Sequence, residues 1–155
     1  MTRILVIAHS RTGSTLRLRD AAIEGMVEAV PDAEVVARDA ADATVEDVRS
    51  ADAVLFCTPA RFGALAGLTK DFLERIYPWF DEVPDLRPGM PWTAVVKGAT
   101  DPSGAVRDLQ RILTGLRWKP VLPPLEVVGD VTPAHLAATH ELAATLAAGV
   151  DTGLW

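Results

Sequence analysis

Apolar and polar positions alternate in blocks whose period switches along the chain. Ile4, Leu5, Val6, Ile7 and Ala8 form an unbroken β-favouring run, the pattern of a strand covered on both faces as in a parallel sheet. The period then becomes helical. Across residues 15–30, Leu16, Ile23, Val27 and Val30, with Ala22 and Met26 beside them, face away from Arg17, Asp20, Glu24 and Glu28, which predicts one amphipathic helix. Pro31 and Asp32 end it, and residues 34–38 read as a shorter strand nearer an edge. Thr44 followed by Asp47 resembles a capping box, with Asp in place of Glu or Gln, and starts a brief helix through Arg49. Residues 52–57 are the third strand. A loop over 58–64 delivers the chain to a helix with Leu65, Leu68, Phe72, Leu73 and Ile76 on its core face, and Lys70 with Glu74 and Asp71 with Arg75 at (i, i+4) on its wet side. Pro78 is expected to stop or bend that helix.

Residues 81–91 contain Pro84, Pro88, Gly89 and Pro91 and read as a loop. Residues 92–97 are the fourth strand. Residues 98–104 then form a strand-end loop with Asp101 as N-cap and Pro102 at the first helical position. The next helix carries Val106, Leu109, Ile112, Leu113 and Leu116. Residues 119–128 are the fifth strand, interrupted at Pro123 and Pro124, so it lies at an edge or changes direction there. Thr132 and Pro133 cap a last helix through Gly149. Five strands alternating with helices predict a doubly wound α/β architecture, a five-stranded parallel sheet with helices on both faces.

Composition narrows the function classes. With 155 residues, 49% of them hydrophobic, the chain is expected to form a single domain with a sizeable core. A net charge of −6 and a pI near 5.0 argue against a nucleic-acid footprint and would suit a positively charged redox partner. Cys57 is the single cysteine, so no internal disulfide is available, and no Cys/His cluster has metal-ligand spacing. The apolar run after Arg3 is too short for a secretion leader, and none approaches the roughly 20 residues of a membrane span. A cytoplasmic protein without membrane insertion is the expectation.

The candidate chemistry sits where the first strand meets the first helix. Ser10, Arg11, Thr12, Gly13, Ser14 and Thr15 make a hydroxyl-rich loop whose hydroxyls and backbone N–H groups point at one spot, where the helix dipole favours negative charge. Neither Gly-x-x-x-x-Gly-Lys-Ser/Thr nor Gly-x-Gly-x-x-Gly is present. Spacing alone fits two readings: a seat for a phosphate monoester, or an ordinary turn with Ser14 or Thr15 as N-cap. His9 reads as a strand-end histidine bonded to backbone, the alternative being a ring held protonated by a neighbouring dianion. His135 and His140 read as surface residues. Cys57 reads as core, since no base or acid accompanies it. Aspartates at the first and third strand ends, as a phospho-receiver would need, are absent.

The loop from Ser10 to Thr15 resembles the phosphate loop Ser/Thr-x-Thr-Gly-Asn/Ser-Thr of the flavodoxin family. After the third strand, Thr58, Pro59, Ala60, Arg61, Phe62 and Gly63 resemble the Thr-Pro-Thr-Arg-Phe-Gly loop of WrbA-like, NAD(P)H-dependent FMN oxidoreductase-like flavoproteins. The resemblance covers most of the chain and weakens after residue 98. It implies a flavodoxin-like sheet of order 2-1-3-4-5, with the C-terminal ends of strands one and three adjacent at the ligand-binding switch point. It further implies FMN as cofactor, its phosphate on residues 10–15. Residues 58–63 run beside the flavin ring, with N–H groups from Ala60 to Gly63 near its N5 and O4 edge and Arg61 favouring negative charge on the reduced ring. Lys97, Gly98 and Ala99 are implied as backbone contacts to the pyrimidine end. The following Thr100, Asp101 and Pro102 depart from the Ser-Thr-Gly stretch leading to a histidine in WrbA-like relatives. Trp79 lies where relatives carry an aromatic near the flavin pocket, and Tyr77, Trp79 and Phe80 make an aromatic cluster at a helix end that core packing or a partner surface explains equally. The function implied is transfer of electrons or hydride through noncovalent FMN, from NAD(P)H to a quinone-like acceptor or as a carrier to a redox protein, in a chain that could be a homo-oligomer. Two alternatives stay open: a flavin-binding or storage protein without turnover, and a cofactor-free interaction module.

Overall fold

The computed structural model describes residues 1–82 and 88–155, with side chains over 1–77 and 88–155. The elements are β1 (Arg3–Ala8), α1 (Ser14–Ala29), β2 (Glu34–Asp39), α2 (Val45–Arg49), β3 (Ala53–Arg61), β4 (Ala64–Leu65), α3 (Gly67–Glu82), β5 (Pro91–Gly98), α4 (Ser103–Gly115), β6 (Lys119–Pro120), β7 (Leu125–Val128) and α5 (Pro133–Asp151). The sheet runs β2-β1-β3-β5, with β6 and β7 in turn along the outer side of β5, and every pairing is parallel except the β3–β4 hairpin. This is the doubly wound order expected, with β5 as the fourth strand and β6 and β7 as the broken fifth. Among the described residues, no helix is long and apolar enough to cross a membrane.

The continuous apolar runs are explained by burial on both faces. Ile4, Val6 and Ala8 of β1 and Ala53, Leu55 and Cys57 of β3 face Leu18, Ala22 and Met26 of α1 and Ala143, Leu146 and Ala147 of α5. Leu5 and Ile7 of β1 and Val54, Phe56, Trp92 and Val96 face Phe72, Leu73 and Ile76 of α3 and Leu109 and Leu113 of α4. Alternate strand residues thus feed two cores, as the period of two requires. The capping box at α2 is present: Asp47 N–H donates to the Thr44 hydroxyl at 3.3 Å and Thr44 N–H to the Asp47 carboxylate at 2.9 Å. Thr132 caps α5 in the same way, with the His135 ring in place of a carboxylate: its Nδ1 accepts from Thr132 N–H at 3.1 Å.

Several expectations shift. The buried stripe of α1 is Leu18, Ala22 and Met26, while Val27 is exposed; the apolar residues outnumber the face that meets the sheet, and the i, i+4, i+8 set wins. Leu65 belongs to β4, and Leu68, in the first turn of α3, is exposed. The helix runs through Pro78 to Glu82, since an internal proline removes one donor from the ladder without forbidding the next turn. Of the loop expected over 81–91, Asp81 and Glu82 are helical, residues 83–87 lie outside the described residues, and Pro91 opens β5. The side chains of Trp79 and Phe80 also lie outside the described ones; Tyr77 is half exposed. Residues 58–61, expected in a loop, extend β3. Asp101 lies just ahead of α4, where its carboxylate accepts from Ser103 N–H at 2.9 Å; hydrogen bonding from the Ser103 hydroxyl, then its backbone, holds that carboxyl below the usual range.

Candidate functional site

The site builds from the C-terminal ends of β1, β3 and β5, the switch point where such sheets bind ligands. Leaving β1, the chain is pinned by His9 N–H donating to the Cys57 carbonyl at 3.2 Å. The Ser10 hydroxyl then accepts from Gly13 N–H at 2.9 Å, folding the loop back on itself. Gly13 stands at φ 93° as the residue preceding α1, a conformation that favours glycine. No side chain caps α1 and no acid stands in its first turn; Ser14 and Thr15 lie inside the helix, so neither is the N-cap that the alternative reading required. The first N–H groups of a helix have no intrahelical acceptor. At α2 and α5 side chains satisfy them; at α1 they stay open beside the hydroxyls of Thr12 and Ser14, which are 3.2 Å apart.

Across from this loop, β3 runs on through Arg61 and turns back into β4. The turn is Phe62 and Gly63, at φ 50° and 70°, the two positive values of a type I′ hairpin. Phe62 thereby projects fully into solvent. Parallel pairing sets Pro59 opposite Lys97, which brings the end of β5 alongside. Thr12, Ser14, Thr15, Pro59, Ala60, Arg61, Lys97 and Ala99 converge on one small, partly open cavity of about 100 Å³. All were singled out from the sequence.

Other expected site residues lie elsewhere. Arg11 and Phe62 line a separate, wider cleft of about 670 Å³, with His9, Arg61, Leu65, Ala66, Gly67 and Leu68. Sequence reading missed the last four; a Gly-Leu-Thr helix start after a hairpin was the available signal. Arg61 lines both spaces, and its Nε is buried without a hydrogen-bond partner. Thr58 is fully buried, its hydroxyl 2.8 Å from that of Thr69, a strut between β3 and α3. Gly98 is buried, its carbonyl accepting from Gly129 N–H at 2.9 Å. His9 is buried, but its ring does not bond to backbone: Nδ1 has no hydrogen-bond partner and lies 3.9 Å from the Asp39 carboxylate. His140 pairs with Glu28 at 2.9 Å on the surface, as expected of it. Grooves of about 600 and 340 Å³ occur between α1 and α5 and between α3 and α4; both lie on helix faces, away from the strand ends.

Cys57 is wholly buried beneath the site, and burial pushes its thiol from the ordinary 9.0 up to about 12. The folded thiol is therefore neutral at physiological pH and unsuited to nucleophilic work. Iodoacetamide at pH 8 is expected to leave Cys57 unmodified in the folded protein and to label it after unfolding, read by mass spectrometry. Because the unfolded thiol ionises first, the stability present below pH 9 should decline as the pH rises toward 12.

Known proteins resemble this chain in fold and, more locally, in sequence. A flavodoxin from the domain Archaea superposes with a TM-score of 0.83 at 14% identity, covering 97% of this chain and 99% of that one. A WrbA-like flavodoxin from Agrobacterium tumefaciens gives 0.79 at 17% identity, covering 98% and 99%. A protein of Geobacter sulfurreducens described as NAD(P)H dehydrogenase (quinone) is 32% identical over a match covering 46% of this chain and 46% of its own, so the chain spans about half the length of that relative. At those identities the two structures show the fold alone. Residues 5–131 match the NADPH-dependent FMN reductase family, and the chain belongs to it.

Proposed function

We propose that the protein binds one FMN at the cavity between residues 12–15 and 59–61 and uses it to pass electrons from a reduced pyridine dinucleotide to a quinone-like acceptor. The observation that carries this reading is the uncapped N-terminus of α1, open onto a cavity that Arg61 and Lys97 also line. A phosphate there would accept from the N–H groups of α1 and pair with the two cations. The residues present fit that group: hydroxyls from Thr12, Ser14 and Thr15 on one wall, cations from Arg61 and Lys97 on the other, and no acid in the lining. A cavity of about 100 Å³ holds a phosphate rather than a whole flavin, since pockets for ligands of that size run to about 300–1,000 Å³. The 10–15 loop therefore acts as the anchor. The neighbouring hairpin supplies backbone donors and the Arg61 guanidinium.

FMN, when bound, supplies the hydride and electron chemistry, so no catalytic side chain is required. This chain's part is position and electrostatics. Arg11 and Arg61 in the wider cleft, where no acid stands in the lining, favour approach of a phosphate-bearing donor, and the exposed ring of Phe62 offers it an apolar surface. The quinone-like acceptor is proposed by likeness to the Geobacter relative's description.

The test is the visible spectrum of the purified protein with and without added FMN, followed by anaerobic titration with NADPH and NADH and steady-state assays with several quinones. Saturable binding of one FMN and bleaching of its visible band by the dinucleotide are expected. Binding without bleaching or turnover would leave a flavin-storage protein; no binding would end the flavin reading.

A further inference from the structure

The hairpin that carries Arg61 and Phe62 is held from outside the site, by α4. In the first turn of that helix, Gly104 lies against the Gly63 carbonyl so closely that a Cβ at Gly104 would fall on the carbonyl oxygen. One turn on, Asp108 accepts a hydrogen bond from Leu65 N–H at 3.0 Å. Gly104 and Asp108 are four residues apart and therefore share one helix face. They grip the hairpin on both sides of Ala64, immediately after the turn. That turn needs gripping: Phe62 is an L residue at φ 50°, in the left-handed region that favours glycine. Neither Gly104 nor Asp108 lines the cavity or the cleft. Their effect on the site passes through Gly63 and Leu65.

We propose that Gly104 and Asp108 are positioning residues: they clamp the β3–β4 turn so that Arg61 stands as the wall between the cavity and the cleft, and thereby set how tightly, and at what potential, flavin is held. The flavin part rests on the function proposed above; the clamp itself does not. Asp108 also pairs with Arg111 at 2.8 Å, but an ion pair to a side chain this exposed contributes little, and the Leu65 bond is the one that matters.

Four variants separate these roles. Asp108→Ala removes the acceptor, Asp108→Asn keeps an accepting oxygen, Arg111→Ala breaks the ion pair alone, and Gly104→Ala forces the turn away. Two readouts are taken on each after circular dichroism confirms folding. The first needs no cofactor: the rate of tryptic nicking at the Arg61–Phe62 bond, followed by mass spectrometry. The second is the dissociation constant and midpoint potential of bound FMN. Asp108→Ala is expected to be nicked about tenfold faster and to bind FMN about tenfold more weakly at a shifted potential, the scale of one lost hydrogen bond to a charged group. Asp108→Asn and Arg111→Ala should stay within about twofold of the parent. Gly104→Ala should exceed Asp108→Ala in both readouts, and if it fails to fold the Asp108 series decides alone. Parent-like nicking in Asp108→Ala would overturn the clamp. Faster nicking with parent-like affinity and potential would overturn the positioning role. If the parent protein binds no FMN, the proposed function falls while the nicking series still judges the clamp.

Discussion

Replacing Ser14 with aspartate is expected to abolish FMN binding while leaving the protein without cofactor as stable as before, or more so. Ser14 is the first residue of α1, a helix with no side-chain cap and no acid in its first turn. A carboxylate there gains about 0.3–1 kcal/mol from the helix dipole. The same charge takes the place of a phosphate dianion and repels it, so a loss of at least about 100-fold in affinity, or roughly 3 kcal/mol, should follow. Calorimetric titration with FMN and thermal melts of the apo-protein give the two signs in one experiment. Ser14→Ala, which removes one hydroxyl without adding charge, should cost only about 1 kcal/mol of binding. Retained affinity in Ser14→Asp would take the phosphate away from α1.

Phe56→Ala is expected to lower the unfolding free energy by about 4 kcal/mol, the range for emptying a large aromatic site in a core. Phe56 is fully buried in β3, with ring centroids of Phe72, Trp92 and Trp118 at 6.4, 6.3 and 6.4 Å. These neighbours come from α3, β5 and the segment before β6, so the cavity borders elements that cannot close together without moving the sheet. Urea titration at equilibrium measures the loss. A value under about 2 kcal/mol would mean that the aromatic cluster collapses into the space.

How much could be read from the chain depended on how local the cause was. The run from Ile4 to Ala8 and the Gly13 turn were legible because strand burial and loop chemistry are written in adjacent residues. The capping box at Thr44 and the break at Pro123 and Pro124 were legible for the same reason. Residues 58–61 were not. Pro59 argues for a loop, and what makes the segment a strand is pairing with β5, where Thr58 meets Val96 and Pro59 meets Lys97, and with β4. Those partners are settled by topology. Leu68 had the correct helical phase for the core but falls in the first turn of α3, where it lines the cleft and is exposed. Arg11 shows the same limit at the site itself. It is adjacent in sequence to Thr12, yet the two line different spaces, and what completes both is Arg61, some fifty residues later. The grip of α4 on the β3–β4 hairpin left no local trace either: Gly104 reads only as the end of the 98–104 loop, and nothing in the sequence singles out Asp108.

The broken edge strand offers a use of its own. Between Trp92 and Val95 the inner strand β5 advances three positions, while its outer partner advances five, from Pro120 to Leu125. The two surplus residues are carried in an excursion fastened ahead of its crest, where Val121 N–H donates to the Trp92 carbonyl at 3.1 Å and the Thr93 hydroxyl to the Leu122 carbonyl at 3.0 Å, and closed beyond it where Leu125 pairs with Val95. Pro123 at its crest is exposed. Lengthening such a tethered loop costs only about 0.6 kcal/mol per doubling, and the crest lies level with Thr93, near the opposite end of the sheet from residues 12–15 and 59–61. The point between Pro123 and Pro124 is thus a natural splice site, where a reporter or a surface linker can be grafted into the chain away from the proposed flavin site.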